Sequence, residues 1–474
     1  AQGDGYRITS FPGKPHQTKY PPGYPWLLSL IWRVDPVFPR NLALAALFAW
    51  LWVPPFLWVA RVTARDLGLI GTAAWGPVVV LALSPYTCLG SFSLLSELPF
   101  ACLLGASLAL VERAAQNRRT AILAGAAAAA ACLVRTVGIV LLVAAPAVLW
   151  MRGKRRSAVL SLCAALPPVV AWNLWSWSHR APAHDLVTLY YTDYVGYYLS
   201  DVSWGSLPTL LWTNLDVLTS SIGGLLVFGI DDSFIGKSVL RVLACASIAG
   251  AVRLARRSGF TSYHAYALGY GLLLLSWNYT PDERFLLPVA PALLAGLFAE
   301  LENLLRTIRV SLRRPGQRIA AVAVALALAP LAGVYVQGTY SALCQGLPGM
   351  IARNRRELDR RLPLYRWIRA HLPGAVLAYR DPLVYLYAAT SSGRLVVPPR
   401  LLYSGDRPAL EAHLRTLPAV ARAHGLDHVV LSENDLELEL GPNERAWAHK
   451  LMRSLPELEP VFQSDAGSVY RIRR

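Results

Sequence analysis

Long apolar runs alternate with short clusters of arginine along most of the chain, and this alternation predicts a bundle of membrane-crossing helices. The runs fall at about 41–64, 68–88, 93–112, 120–134, 137–151, 157–177, 236–252, 262–279, 285–303 and 319–338. Asn41 to Thr63, Ser157 to Ser176 and Ile319 to Gln337 approach the roughly 20 residues that span a bilayer. About ten spans are expected, and the 120–151 pair is short enough to form a re-entrant hairpin instead. Between the runs lie Arg61/Arg65, Arg113/Arg118/Arg119, Arg152/Lys154/Arg155/Arg156, Arg253/Arg256/Arg257 and Arg306/Arg309/Arg313/Arg314/Arg318. With every cluster cytoplasmic, an even number of crossings separates neighbours, and the runs allow that.

The segments on the opposite side differ in character. Residues 178–235 hold six aspartates (Asp185, Asp193, Asp201, Asp216, Asp231, Asp232) against one arginine, Arg180. They also hold Tyr190, Tyr191, Tyr194, Tyr197, Tyr198, Trp204 and Trp212, side chains suited to a membrane–water interface. Leu207 to Ile230 is apolar but carries Asn214 and Asp216, and a full crossing there breaks the charge parity, so an interfacial or re-entrant helix is expected.

After Gln337 the apolar runs shorten. Helix-period segments at Arg355–His371, Pro382–Ala389, Pro408–His424 and Glu444–Ser454 alternate with short runs at Ala375–Tyr379, Arg394–Val397 and Asp427–Leu431, and two short strands follow near Val461 and Val469. The pattern predicts a small α/β domain with a mainly parallel sheet. The expected organisation is an outer first loop over 1–40, a transmembrane domain over 41–338 and an extracytoplasmic α/β domain over 339–474. No glycine-rich phosphate loop follows any strand, which argues against a nucleotide site.

Composition supports the membrane reading. Hydrophobic residues make up 54% and charged residues 16%, against about 25% charged in a soluble domain. The net charge of +17 sits in clusters between apolar runs, where it marks topology and not a nucleic-acid surface. Six scattered cysteines without metal or disulfide spacing read as structural thiols. The chain starts Ala-Gln-Gly-Asp, and by charge parity its first loop lies outside, so one further span is expected ahead of residue 1.

A few ionic residues stand away from the basic clusters. Lys19 precedes a rigid Tyr20-Pro21-Pro22 turn, where it either anchors at the headgroups or binds a phosphate as a point charge. Glu97 opens a span, either as a headgroup-level helix residue or as a functional acid. Arg135 is either a snorkelling arginine or an anion clamp. Arg284 follows Asp282 and Glu283, either in a structural ion pair with one of them or as a second clamp. Asp193 is one of several loop aspartates. Lys19, Glu97, Arg135 and Arg284 map to one membrane face, and cations with a carboxylate at a lipid boundary suit a phosphate-bearing lipid. The carboxylate could hold a divalent metal or orient an acceptor.

These residues resemble the membrane glycosyltransferases of the C-type superfamily. The likeness is to the bacterial branch related to dolichyl-phosphate-mannose protein mannosyltransferases and the lipid A aminoarabinose transferase. It rests on Gly3-Asp4, Gly13-Lys14-Pro15, Lys19-Tyr20-Pro21-Pro22, Ser96-Glu97, Arg135-Thr136-Val137-Gly138 and Arg284-Phe285-Leu286-Leu287-Pro288-Val289-Ala290-Pro291, in that order. The resemblance implies a multi-pass enzyme of the bacterial inner membrane. Such an enzyme moves a sugar from a polyprenyl-phosphate donor to a lipid, glycan or protein acceptor on the outer face. It implies Lys19, Arg135 and Arg284 at the donor phosphate and Glu97 in the acidic, catalytic part, with Tyr20, Asp193 and Glu283 on the acceptor side or in support. The family's principal acid lies some way before the Gly-Asp, ahead of Ala1. Asp4 is not its match, and Thr18 replaces the family's acid before the lysine. A truncated enzyme is therefore expected. A lipid-glycan transporter is disfavoured by the absence of internal repeats and mid-span acids, and a catalytically silent scaffold remains the other alternative.

Overall fold

The computed structural model describes residues 5–114, 117–182, 185–199, 202–230, 233–313, 317–398, 401, 406–437 and 440–473. Gly3, Asp4, Arg314, Asp201, Asp231 and Asp232, named above, lie outside them. The helices are α1 (Gly23–Val34), α2 (Leu42–Trp50), α3 (Val53–Asp66), α4 (Gly76–Ala82), α5 (Pro85–Phe92), α6 (Glu97–Arg113), α7 (Arg118–Val134), α8 (Leu141–Met151), α9 (Arg155–Ser178), α10 (Leu186–Thr192), α11 (Tyr194–Leu199), α12 (Leu207–Leu226), α13 (Phe234–Ser258), α14 (Ser262–Leu275), α15 (Glu283–Leu286), α16 (Ala290–Leu312), α17 (Arg318–Ser341) and α18 (Leu347–His371). Strands β1 (Ala375–Ala378), β2 (Ser392–Arg394), β3 (Leu426–Ser432), β4 (Leu458–Ser464) and β5 (Gly467–Ile472) follow, with α19 (Asp381–Ala388), α20 (Arg407–Ala423) and α21 (Pro442–Arg453) between them.

The chain divides into two units. One comprises Pro21–Asn173 and Ser206–Gly349, the other Ala1–Tyr20, Leu174–Gly205 and Met350–Arg474.

The first unit is the helix bundle, and each of the ten apolar runs is helical in it. Among the described residues three helices are long and apolar enough to cross a membrane: Leu42–Asp66 (α2 with α3), α9 and α13. The α4–α5 pair passes jointly as a fourth, bent by 55°. This is fewer than the ten spans expected. The runs at 93–112 and 120–134 make helices of 17 residues each and the run at 262–279 one of 14, and Glu300, Glu302, Arg306 and Arg309 interrupt the apolar character of α16. The segment 207–230 forms the continuous helix α12 as far as Leu226 and leaves it before Ile230, and its buried Asn214 donates to the carbonyls of Leu275 (3.0 Å) and Trp277 (2.6 Å), at and just after the end of α14.

Several basic helix ends meet at one end of this unit. Arg113 pairs with Asp66 at 3.0 Å, Arg152 with Glu112 at 2.9 Å, and Tyr263 donates to Asp66 at 3.0 Å. Helices α13 and α16 approach without side chains between them: a Cβ on Gly250 would lie 1.8 Å from the Gly296 carbonyl. Small residues permit this packing where lipid supplies no hydrophobic drive.

The second unit is an α/β layer with sheet order β2-β1-β3-β5-β4. Strands β2, β1 and β3 run parallel, and β5 and β4 add antiparallel as a hairpin. The sheet is thus mixed instead of mainly parallel, because the short link Asp465–Ala466 can only return the chain antiparallel. Alternation along the strands sorts the core. Val376, Ala378, Val430 and Val469 face Leu364, Tyr365 and Ile368 of α18, whereas Leu377, Val429 and Leu431 face Leu410, Leu414 and Leu417 of α20. Two distant segments complete this unit. Ile8, Phe11, Val187, Tyr191 and Tyr197 bury against Val396, and Ser392 N donates to Ser10 O at 2.7 Å.

Candidate functional site

Three of the four singled-out ionic residues come together in the helical unit. Glu97 is the first residue of α6, where a carboxylate suits the helix N-terminus. Arg135 ends α7 in an extended conformation, with its N–H on Ala131 O. The next residues coil tightly back, and Gly138 N closes the turn on Arg135 O at 2.9 Å. A side chain at Gly138 would meet the Cys132 amide nitrogen at 2.8 Å, so the Arg-x-x-Gly spacing has a local cause: glycine lets the chain fold against the end of α7 and present Arg135. Arg284 lies in the one-turn helix α15, whose N-cap Asp282 accepts from Arg284 N at 3.1 Å. Tyr270 fixes this turn by donating to Phe285 O at 2.7 Å.

The two guanidiniums share one carboxylate oxygen. Arg135 Nη1 lies 2.8 Å and Arg284 Nε 3.4 Å from Glu97 Oε1. The first contact is short and direct, and Arg135 Nη1 also donates to Ser96 Oγ at 3.2 Å. The second is an ion pair without hydrogen-bond geometry, and Arg284 Nε stays unsatisfied. Glu97 Oε2 is buried with no hydrogen-bond partner. Glu97 is 5% exposed, Arg135 16% and Arg284 39%, so Arg284 is the member that solvent or a ligand can reach. The triplet carries one net positive charge. Burial and the nearby Glu97 charge push the Tyr24 phenol up. Burial raises the Asp282 carboxyl against the opposing charge of Arg284.

The ion pair expected between Arg284 and its neighbouring acids is replaced by the one to Glu97. Asp282 caps the backbone instead, and Glu283 faces Gly224 and the Tyr86 hydroxyl.

Lys19 belongs to the other unit and is itself buried, 4% exposed. Its Nζ donates to Tyr190 O at 2.6 Å and lies 4.1 to 5.9 Å from the ring centres of Tyr20, Tyr190, Tyr194, Tyr197 and Tyr198. Burial, then the charge of Arg394, lowers its pKa to about 7, against the pull of Asp193. Asp193 pairs with Arg180 at 2.6 Å and caps α11 through Gly196 N at 2.9 Å. The tyrosines expected at an interface thus wrap an ammonium in a cation–π cage. Their density between 190 and 198 is a signal present in the sequence, although the chain breaks between α10 and α11 at the extended Asp193. Arg394, from the end of β2, gave no such signal.

Among the described residues no group of three His, Cys, Asp or Glu could hold a metal ion. With Glu97 Oε1 taken by two arginines, these residues do not fit a divalent cation.

No family model matches the sequence, and no curated protein matches it. Solved structures do. ArnT from Cupriavidus metallidurans bound to undecaprenyl phosphate superposes with a TM-score of 0.53 at 16% identity, over 99% of this chain and 90% of that one. The chain shares the fold of this protein. The oligosaccharyltransferase AglB from Archaeoglobus fulgidus, in complex with an inhibitory peptide and a dolichol-phosphate, gives 0.52 at 12% identity, over 90% of this chain and 63% of that one. The same archaeal enzyme tethered to an acceptor peptide gives 0.55 at 12% identity, over 99% and 67%. In two of these three the likeness covers 99% of this chain.

Proposed function

We propose that the chain is a membrane glycosyltransferase that moves a sugar from a polyprenyl-phosphate donor to a lipid, glycan or protein acceptor at the outer face of the membrane. The observation that carries this reading is the buried Glu97 carboxylate holding Arg135 and Arg284 side by side, in the fold of a protein solved with undecaprenyl phosphate. This cluster lies at the opposite end of α6 from Arg113 and the basic cluster, about 25 Å away by helix rise. The departing phosphate gains charge as the sugar–oxygen bond breaks, and fixed guanidiniums answer that charge without reorganising. Arg284 contacts the phosphate, and Arg135 supports it from a more enclosed position. Glu97 acts as a positioning residue that sets both guanidiniums, and Glu283 belongs to the turn that carries Arg284, while Asp193 holds a turn in its own unit.

The commitment of Glu97 to two arginines also supports a second reading, a donor-binding protein without turnover, since removal of the acceptor proton needs a base.

The test uses the purified full chain in lipid nanodiscs. Undecaprenyl phosphate is expected to bind, and Arg284→Ala to weaken binding about tenfold or more. Release of sugar from a polyprenyl-phosphate-linked donor supports the transferase, and binding without release supports the second reading. Failure of the unaltered chain to bind undecaprenyl phosphate overturns both.

A further inference from the structure

The α/β unit holds a cleft that the transferase reading does not use. It lies outside the carboxyl end of β3, where Glu433 and Asn434 leave the sheet, and α21 forms its other wall. Parallel α/β sheets place ligands at this edge, next to the point where successive connections turn to opposite sides. Here the connection after β1 leads to β2 on one side, and the chain after β3 leads to β4 and β5 on the other. The cleft measures about 590 Å³, within the range of small-molecule sites.

Its lining is sorted by chemistry. Arg445, Lys450 and Arg453 project from one face of α21, together with His449. Among the described residues none of the three cationic side chains makes a hydrogen bond or an ion pair. Hydrogen-bond acceptors stand with them. Asn434 Nδ2 donates to Glu357 Oε1 at 3.2 Å, which leaves its Oδ1 as an acceptor. His449 Nε2 meets Asp435 O at 3.0 Å, so the neutral ring keeps Nδ1 as an acceptor. Burial, then Arg453 and Arg445, disfavour its charged form, although Asp435 O and Glu433 oppose them. The Glu433 carboxylate adds further acceptor oxygens, with Arg360 at 3.8 Å as its distant counter-ion. Asp435 is itself fixed, its Oδ2 accepting from Ser432 N at 2.8 Å. Asn434 and His449 are thus held in place before any ligand arrives.

We propose that this cleft binds an anionic saccharide, a sugar phosphate being the simplest member of the class. The phosphate lies on Arg445, Lys450 and Arg453, and the sugar hydroxyls donate to Glu433, Asn434 and His449. A bare anion would leave the acceptors unused and would face the Glu433 charge. A neutral sugar would leave three cations unanswered. The inference concerns binding alone and does not depend on transfer at Glu97, Arg135 and Arg284.

Titration calorimetry on the full chain in detergent tests it, with glucose 6-phosphate, glucose and inorganic phosphate as probes. Glucose 6-phosphate is expected to bind at least about tenfold more tightly than either of the others. Arg445→Gln with Arg453→Gln should weaken it about tenfold or more. Asn434→Ala should weaken glucose 6-phosphate and leave inorganic phosphate unchanged. If the double variant does not fold, the single change Lys450→Gln, at an exposed position of the same lining, gives the same readout at about threefold. Arg284→Ala should leave this binding intact, which separates the cleft from the helical cluster. No binding of glucose 6-phosphate, equal binding of inorganic phosphate, or insensitivity to the α21 substitutions each overturns the proposal.

Discussion

Arg135 Nη1 and Glu97 Oε1 are 2.8 Å apart in a setting where the carboxylate is almost fully enclosed. The pair joins the end of α7 to the start of α6, and Arg284 leans on the same oxygen from α15. Removing the acid takes away the carboxylate that both cations share. Breaking a buried pair by deleting one partner costs about 3–5 kcal/mol, and the partial exposure of Arg284 moves the expectation to the lower end. Glu97→Ala should therefore lower the melting temperature of the detergent-solubilised protein, and Glu97→Gln should lower it less. Melting of both variants with the unaltered protein would remove the ion pair from the account of the fold.

Gly138→Ala tests the turn that presents Arg135. The added methyl meets the backbone of Cys132 at 2.8 to 2.9 Å, and backbone cannot yield as a side chain can. A loss of about 1–3 kcal/mol is expected, with undecaprenyl-phosphate binding weakened more than thermal stability suggests, because Arg135 shifts. Unchanged binding and stability would show that the turn tolerates a Cβ and that glycine there has another cause.

Lys19 should make stability depend on pH. Its folded pKa is depressed to about 7 from 10.5, so between those values the folded chain holds fewer protons than the unfolded one. Stability contributed by this group is therefore present above 10.5 and is lost as pH falls through about 7. Lys19→Met, which keeps an unbranched side chain and removes the charge, should remove this part of the pH dependence of the melting temperature. Identical profiles for the two proteins would contradict it.

Asp435 gives the opposite slope. Burial raises its pKa to about 6 from 3.8, against the Ser432 N–H and the charges of Arg361 and Arg380. The folded state then holds more protons between those values, so the contribution is fully present below 3.8 and lost as pH rises through about 6. Asp435→Asn should remove this part of the pH dependence and stabilise the protein at neutral pH by up to about 3 kcal/mol. Parallel stability profiles for the two proteins would contradict it.

The helical framework was legible because period and length speak locally: every apolar run became helix. The number of crossings was less so, since helices such as α6 and α14 are too short to declare themselves and charge enters α16. In the α/β layer the strands were placed nearly as found, but their directions were not, because the return of β5 beside β3 depends on tertiary pairing. In the candidate site, Glu97, Arg135 and Arg284 stood out as ionic residues at span ends. Charge parity put them on one membrane face, but the pairing itself was not legible, because nothing near Arg284 points to Glu97 over Glu283. The tyrosines around Lys19 were visible, but their inward orientation was not, since an interfacial ring and a caging ring look alike in a string of letters.

The α/β layer is assembled from pieces that leave the ribosome far apart in time. Ile8 and Phe11 emerge long before Val396, the residue they cover, and Val187 and Tyr191 emerge in between. The early pieces can pack on one another, as Phe11 does on Tyr191 with ring centres 4.7 Å apart, but Val396 reaches them only after the helices of the first unit have been made. The layer can close only when its final strands arrive, so a fragment beginning after α17 would lack part of its own interior.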